Sequence, residues 1–168
     1  PSFALERAQE VVYSLKHLAD QGRLPKVPVY VDSPLTVKLT DVFRLHPECY
    51  DDETRAILNS GDSPFDFDQL RYVSADEDSK AIDRSDEPAV IISASGMCEA
   101  GRIRHHITNN IEDDKNTIRI PGYQAAHTLG RRLIDGVKTI NLFHEKYEVR
   151  AAIEQIHGFS AHADQADL

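Results

Sequence analysis

Residues 89–107 read AVIISASGMCEAGRIRHHI, and the fold depends on how this stretch is parsed. Val90, Ile91 and Ile92 form the short β-branched run of a fully buried strand. Ser93-Ala94-Ser95-Gly96 follows, small residues where that strand ends. From Glu99 a helical pattern takes over, with Ile103 and Ile107 four residues apart. A strand feeding a small-residue turn and then a helix leaves N–H donors beside the positive end of a helix dipole, a setting that suits phosphate. Two readings are open here: an ordinary βα connection, and an anion-binding turn.

Outward from this stretch, strand and helix patterns alternate. Leu5, Ala8, Val11, Val12, Leu15, Leu18 and Ala19 share one stripe, which predicts a helix over Phe3–Gln21 capped by Ser2. Val27–Asp32 reads as a buried strand. Ser33-Pro34 then opens a second helix, in which Leu35, Leu39, Val42 and Phe43 set the apolar pattern. A short helix follows over Asp51–Ser60, then a turn-rich surface loop at 61–69, a strand over Leu70–Ser74 and a polar helix over Asp76–Ser85.

Beyond the opening stretch come a strand at Asn116–Ile120 and a helix at Thr128–Asp135. Thr139–Phe143 and Tyr147–Ile156 read as two strands joined through His144-Glu145-Lys146, the second a half-buried antiparallel strand. The alternation predicts an α/β fold: a mostly parallel sheet with helices on both faces, followed by a C-terminal antiparallel hairpin. Ligands of such sheets bind at the carboxyl ends of the strands. Those ends carry Asp32-Ser33, Ser93–Gly96 and Gly122-Tyr123-Gln124, three turns expected to converge on one crevice.

Composition narrows the function. The 168 residues are 40% apolar and 28% charged, ordinary for one globular domain. No apolar run approaches a membrane span, so no membrane partner is expected. The net charge of −9 argues against a non-specific nucleic-acid coat, though not against a local basic patch. Cys49 and Cys98 are far apart and form no CxxC pair, which points to free thiols in a reducing cytoplasm. The chain opens on Pro1 without an initiator Met and breaks off inside a helix start. It therefore reads as a piece, truncated at both ends, of a longer protein.

Candidate chemistry concentrates in a few places. The Ser95-Gly96-Met97 hydroxyl and amides suit phosphate, and no GxSxG elbow is present. Arg102, Arg104, His105 and His106 form a basic cluster after that turn, and Arg131 and Arg132 follow the next strand. These are either solvated helix faces or contacts to a phosphodiester backbone. Asp32 reads as a turn or helix-cap group. None of the eight histidines belongs to an HxH or HxxxH set, and adjacent His105 and His106 point about 100° apart on a helix. No self-sufficient metal site is indicated. In GFSAHAD (158–164), His162 sits among small residues with Ser160 before it and Asp164 after it. It is either incidental to a helix cap or a proton donor to a leaving oxygen.

Taken together, PSFALERAQEVVY (1–13), PVYVDSP (28–34), DSKAI (78–82), ISASGMCEAGRIRHHI (92–107), GYQ-x-x-x-TLGRRL (122–133) and GFSAHAD (158–164) resemble the β-CASP domain of metallo-β-lactamase-fold RNA-processing nucleases. The motifs run in that family's order over nearly the whole chain. The resemblance implies a single β-CASP domain over 1–168. It also implies a metallo-β-lactamase domain of the same protein that would hold two zinc ions with an HxHxDH motif and further ligands, none of them in this segment.

RNA, single-stranded, is the implied partner, and homodimerisation is left open. His162 maps onto a family histidine that acts at the scissile phosphate, with Ser160 on the same turn. Ser95, Gly96, Met97, Arg102 and Arg131 would hold the RNA backbone. The full protein would be a metal-dependent ribonuclease, cytoplasmic, while the isolated segment is expected to be inactive. Alternatives are a non-catalytic RNA-binding domain of a degenerate relative, or an α/β domain for a phosphorylated small molecule. Two departures bear on substrate detail: Ala126-His127 replaces the family's Glu-Gly, and His144-Glu145-Lys146 replaces its usual hairpin turn. His127 would join the RNA-facing surface.

Overall fold

The structure is a computed structural model and describes residues 1–159. The chain divides into two compact units, Ala4–Ile92 and Ser93 onward together with Pro1–Phe3.

The Ala4–Ile92 unit is built on a parallel three-stranded sheet. Its strands are β1 (Val29–Asp32), β2 (Leu70–Val73) and β3 (Val90–Ile92), in the order β2-β1-β3. Val29 of central β1 pairs with Leu70 on one side and Val90 on the other. Val29 and Val31 are fully buried, as a strand covered on both faces requires. The helices are α1 (Arg7–Asp20), α2 (Pro34–Leu45), α3 (Asp52–Asn59) and α4 (Asp76–Asp83). Ala8 and Val12 of α1 join Val29, Val31, Leu70 and Ile92 in the core.

Three local expectations change in this unit. α1 begins at Arg7 rather than Phe3, because Glu6 has a φ of 63° and the Ser2 amide is bonded to the Ser93 carbonyl at 2.8 Å. Ser2 therefore caps no helix. α2 keeps its expected cap, with the Ser33 side chain accepting from the Thr36 amide at 3.2 Å, but it buries a different face. Thr36 and Thr40 point inward while Leu35, Val42 and Leu45 stay exposed. The buried Thr40 hydroxyl is satisfied: Thr40 Oγ1 donates to the Thr36 carbonyl at 2.9 Å and accepts from Gln9 Nε2 at 2.9 Å.

The segment 61–69 is no simple surface loop. Phe65 is buried, edge-on to Phe43 at 6.0 Å and to Tyr50 at 6.1 Å, and its carbonyl accepts from the Tyr72 hydroxyl at 2.8 Å. Turn chemistry set the chain direction there, but an aromatic cluster holds it inside.

The second unit carries α5 (Ile103–Asn110), β4 (Thr117–Pro121), α6 (Leu129–Ile134), β5 (Thr139–Leu142), β6 (Glu145–Glu148) and β7 (Ala152–Ile156). Ile103, Ile107, Ile111, Ile118, Ile120, Leu129, Leu133 and Ile140 form its core. β5 and β6 make the expected antiparallel hairpin, Thr139 opposite Glu148 and Leu142 opposite Glu145. The hairpin tip is Phe143-His144, with φ of 51° and 68°, and Glu145 and Lys146 already belong to β6.

The strand expected over 147–156 is two strands. At 149–151 the chain leaves β5, the Arg150 and Ala151 amides both bond to the Ile111 carbonyl at 2.9 Å, and β7 then runs parallel to β4. The period-2 alternation continues across this change of partner, so it does not reveal the break. Parallel pairing thus appears in two sheets rather than one, since β4 pairs with β7.

Candidate functional site

The Ser93–Arg102 segment is a compact, self-bonded loop, and the helix begins later than Glu99. The Ala94–Ser95 peptide is cis. The Ser95 amide donates to the Ala100 carbonyl at 2.9 Å, and the Ser95 hydroxyl oxygen accepts from the Ala100 amide at 3.1 Å. The Ser95 carbonyl accepts from the Cys98 amide at 3.2 Å. Ile103, the first residue of α5, gives its amide to the Ala94 carbonyl at 3.1 Å. That helical donor is therefore occupied within the loop, which corrects the picture of a helix dipole opening directly onto Ser95-Gly96. The Gly96 and Met97 amides have no hydrogen-bond partner among the described residues.

Two glycines make this loop feasible. Gly101 has a φ of 77°, and a Cβ there would run into the Ala94 carbonyl. At Gly96 a Cβ would lie 2.7 Å from the Phe3 ring.

The GYQ and TLGRRL segments lock onto the loop. Gln124 is buried, and its Nε2 donates to the Gly96 carbonyl and the Tyr123 carbonyl, both at 3.0 Å. The Gly130 amide donates to the Met97 carbonyl at 3.1 Å. A Cβ at Gly130 would overlap the Gln124 amide oxygen. The Glu99 carboxylate accepts from the Leu129 amide at the start of α6. Thr128 caps the same helix, its hydroxyl accepting from the Arg131 amide at 3.2 Å. Of the three turns expected to converge, the second and third are thus joined by direct hydrogen bonds. Asp32 has another task in the other unit: it is fully buried and accepts from the Ser79 hydroxyl at 2.5 Å, tying the end of β1 to α4. Ser33, not Asp32, caps α2.

The basic residues do not form one patch. His106 is buried, and Arg102 is half-buried with bonding partners of its own. Arg104 and His105 both address the hairpin tip. The His105 ring stacks on Phe143 at 4.6 Å, and the Arg104 guanidinium lies 4.5 Å from the centre of the Phe143 ring. Arg131 pairs with Asp135 one turn along α6. That hydrogen-bonded partner holds Arg131's ionisation above its ordinary value and Asp135's below. His127 is exposed, with a φ of 70°.

Cys98 is fully buried, and burial pushes its thiol up to about 11, so it is a neutral core group. Cys49 is exposed. Ser160, His162 and Asp164 lie outside the described residues. Gln124, Glu99 and Phe3 are the structural keys of this site. In the sequence only Gln124 carries a sign of it, through its place after a strand-ending glycine.

Among the described residues no group of three or more His, Cys, Asp or Glu side chains is placed to hold a metal ion. The zinc ligands that the family resemblance implies belong to a metallo-β-lactamase domain rather than to this segment.

Two family models match the chain. The Beta-Casp domain matches residues 8–133, and a Zn-dependent metallo-hydrolase RNA specificity domain matches residues 146–168. Three curated relatives match this chain over its full length. Ribonuclease TTHA0252 of Thermus thermophilus is 34% identical over 168 residues. Transcription termination factor FttA of Methanosarcina mazei is 32% identical over 174 residues. An RNase J-like protein of Methanocaldococcus jannaschii is 32% identical over 168 residues. The chain spans 38% of the first and third of these relatives and 27% of the second. With motifs, fold and the match over residues 8–133 in agreement, the chain belongs to the Beta-Casp domain family of RNA-processing metallo-β-lactamase-fold proteins.

Proposed function

We propose that this chain is the RNA-binding, cleft-forming part of a zinc-dependent ribonuclease, acting on single-stranded RNA in the cytoplasm. The observation that carries the reading is the loop Ser93–Arg102. Its fold consumes most of its own polar groups, yet it leaves the Gly96 and Met97 amides unpartnered among the described residues. Of these adjacent donors Gly96 is buried under the Phe3 ring and Met97 is half-buried, so the Met97 amide is the one better placed to meet a phosphate of an RNA chain. The Ser95 hydroxyl accepts a bond but still has its proton to donate. Arg102 and Arg131 add positive charge to the same unit. The names of the relatives, one a ribonuclease and another RNase J-like, support the substrate class. Two free cysteines, one of them exposed, accord with a reducing compartment. No helix among the described residues is long and apolar enough to cross a membrane.

The catalytic assignment rests on the family resemblance. As water bonds to phosphorus and sheds a proton to solvent, the phosphorus–oxygen bond to the leaving strand breaks and His162 gives a proton to the departing oxygen. Ser160 contacts the same phosphate. The zinc ions would be held by a metallo-β-lactamase domain of the same protein, outside this chain.

Two measurements on the complete protein test the reading. Binding of single-stranded RNA followed across a salt titration should weaken linearly in log–log form, as contacts to several phosphates require. Salt-insensitive binding, or a preference for free mononucleotides, contradicts it. For His162→Ala, turnover should fall roughly 100-fold or more while RNA affinity changes little. Parallel losses in turnover and affinity would mark His162 as structural.

A further inference from the structure

Two exposed aromatic rings are tied to the Gly96 turn, and phosphate binding does not use them. Phe3 lies directly on Gly96: a Cβ built there falls 2.7–2.9 Å from three of its ring atoms. Phe3 is nevertheless 42% exposed. Its position is pinned by the bond from the Ser2 amide to the Ser93 carbonyl at 2.8 Å. Tyr123, next in sequence to the Gln124 that braces the turn, is 68% exposed. Its carbonyl and that of Gly96 are gathered by the single Gln124 amide nitrogen, each at 3.0 Å. Gln124 cannot move away easily, because it is buried against Gly130.

Neither ring belongs to the core cluster of this unit. Phe143, the other exposed aromatic of this unit, is different, since its ring already stacks with His105 and Arg104. Phe3 and Tyr123 have no such ring partner among the described residues. Planar aromatic faces next to unpartnered backbone amides match the two halves of a nucleotide, base and phosphate.

We infer that Phe3 and Tyr123 are base-stacking platforms attached to the Gly96–Met97 turn, so that this turn takes up nucleotides through their bases as well as their phosphates. The inference rests on the RNA-binding reading above and adds the part of the substrate that these residues recognise. Stacking on an aromatic side chain tolerates every base, so the contact raises affinity for base-bearing single strands without selecting a sequence. A duplex, whose bases are already stacked on one another, would gain nothing from it.

The test compares two probes on the complete protein, a ten-nucleotide single-stranded RNA and the same ribose-phosphate backbone lacking bases at the central positions. The wild-type protein should bind the base-bearing probe at least about fivefold more tightly. Tyr123→Leu should lose most of that margin, with the loss falling on the base-bearing probe. Its side chain is exposed, so the variant should melt as wild type does. Phe3→Leu keeps an apolar contact on Gly96 and should narrow the margin further in the double variant. A fluorescent 2-aminopurine in the probe should be quenched by wild-type protein and less so by Tyr123→Leu. An unchanged margin and unchanged quenching in the double variant would overturn the stacking role and leave the RNA reading standing. Failure of wild-type protein to bind either probe would overturn both.

Discussion

Gly96, Gly101 and Gly130 show how single residues set this site. Each is a place where a Cβ would strike something: the Phe3 ring, the Ala94 carbonyl and the Gln124 amide oxygen. Only at Gly101 does the backbone itself also call for glycine. Cys98 sits inside the same loop and makes a measurable contribution. Burial raises its thiol from an ordinary value of 9.0 to about 11. Between those values the unfolded chain releases a proton that the folded chain keeps. The stabilisation is complete below pH 9 and is lost as pH rises through 11, amounting to at most about 3 kcal/mol. Chemical denaturation across this range should therefore show wild-type protein losing more stability than Cys98→Ala. Equal slopes for the two proteins would mean that the thiol is not shielded as described.

At the scale of elements, the β5–β6 hairpin is the clearest departure from local preference. Two-residue hairpin turns with both φ values positive favour Asn-Gly, yet this one uses Phe143-His144. Phe143 is held there by the Arg104 and His105 contacts, whereas among the described residues His144 has no comparable contact. His144→Gly should thus stabilise the fold by about 1 kcal/mol, read as a higher melting temperature. A lower one would show that the His144 side chain supports the turn in some other way.

Elements with one dominant signal were legible from sequence: the β-branched strands at 29–32 and 90–92, and the Ser33-Pro34 helix start. Features that depend on a distant partner were not. The inward Thr40 of α2 depends on Gln9, and the buried Phe65 depends on Phe43 and Tyr50. The break between β6 and β7 depends on Ile111. In the candidate site, the turn at 93–97 could be read from its small residues. Its locking by Gln124 and Glu99 could not, because those bonds join segments about thirty residues apart.

On the scale of the molecule, the chain makes two units, each with its own strands and core, and the candidate RNA contacts of the described residues all fall in one of them. That unit contains the Ser93–Arg102 loop, the GYQ and TLGRRL segments that brace it, and the exposed rings of Phe3 and Tyr123. The Ala4–Ile92 unit uses its own family motifs differently, joining PVYVDSP to DSKAI through the buried Asp32–Ser79 bond. A net charge of −9 makes this division informative, because an acidic protein must gather its RNA contacts locally rather than over its whole surface. The central claim is therefore one of location. It is tested most directly by photocrosslinking 4-thiouridine-bearing single-stranded RNA to the complete protein and mapping the crosslinked peptides of this segment. Crosslinks are expected within 93–102 and 122–131; crosslinks confined to 4–92 would mean that the RNA contacts lie in the other unit.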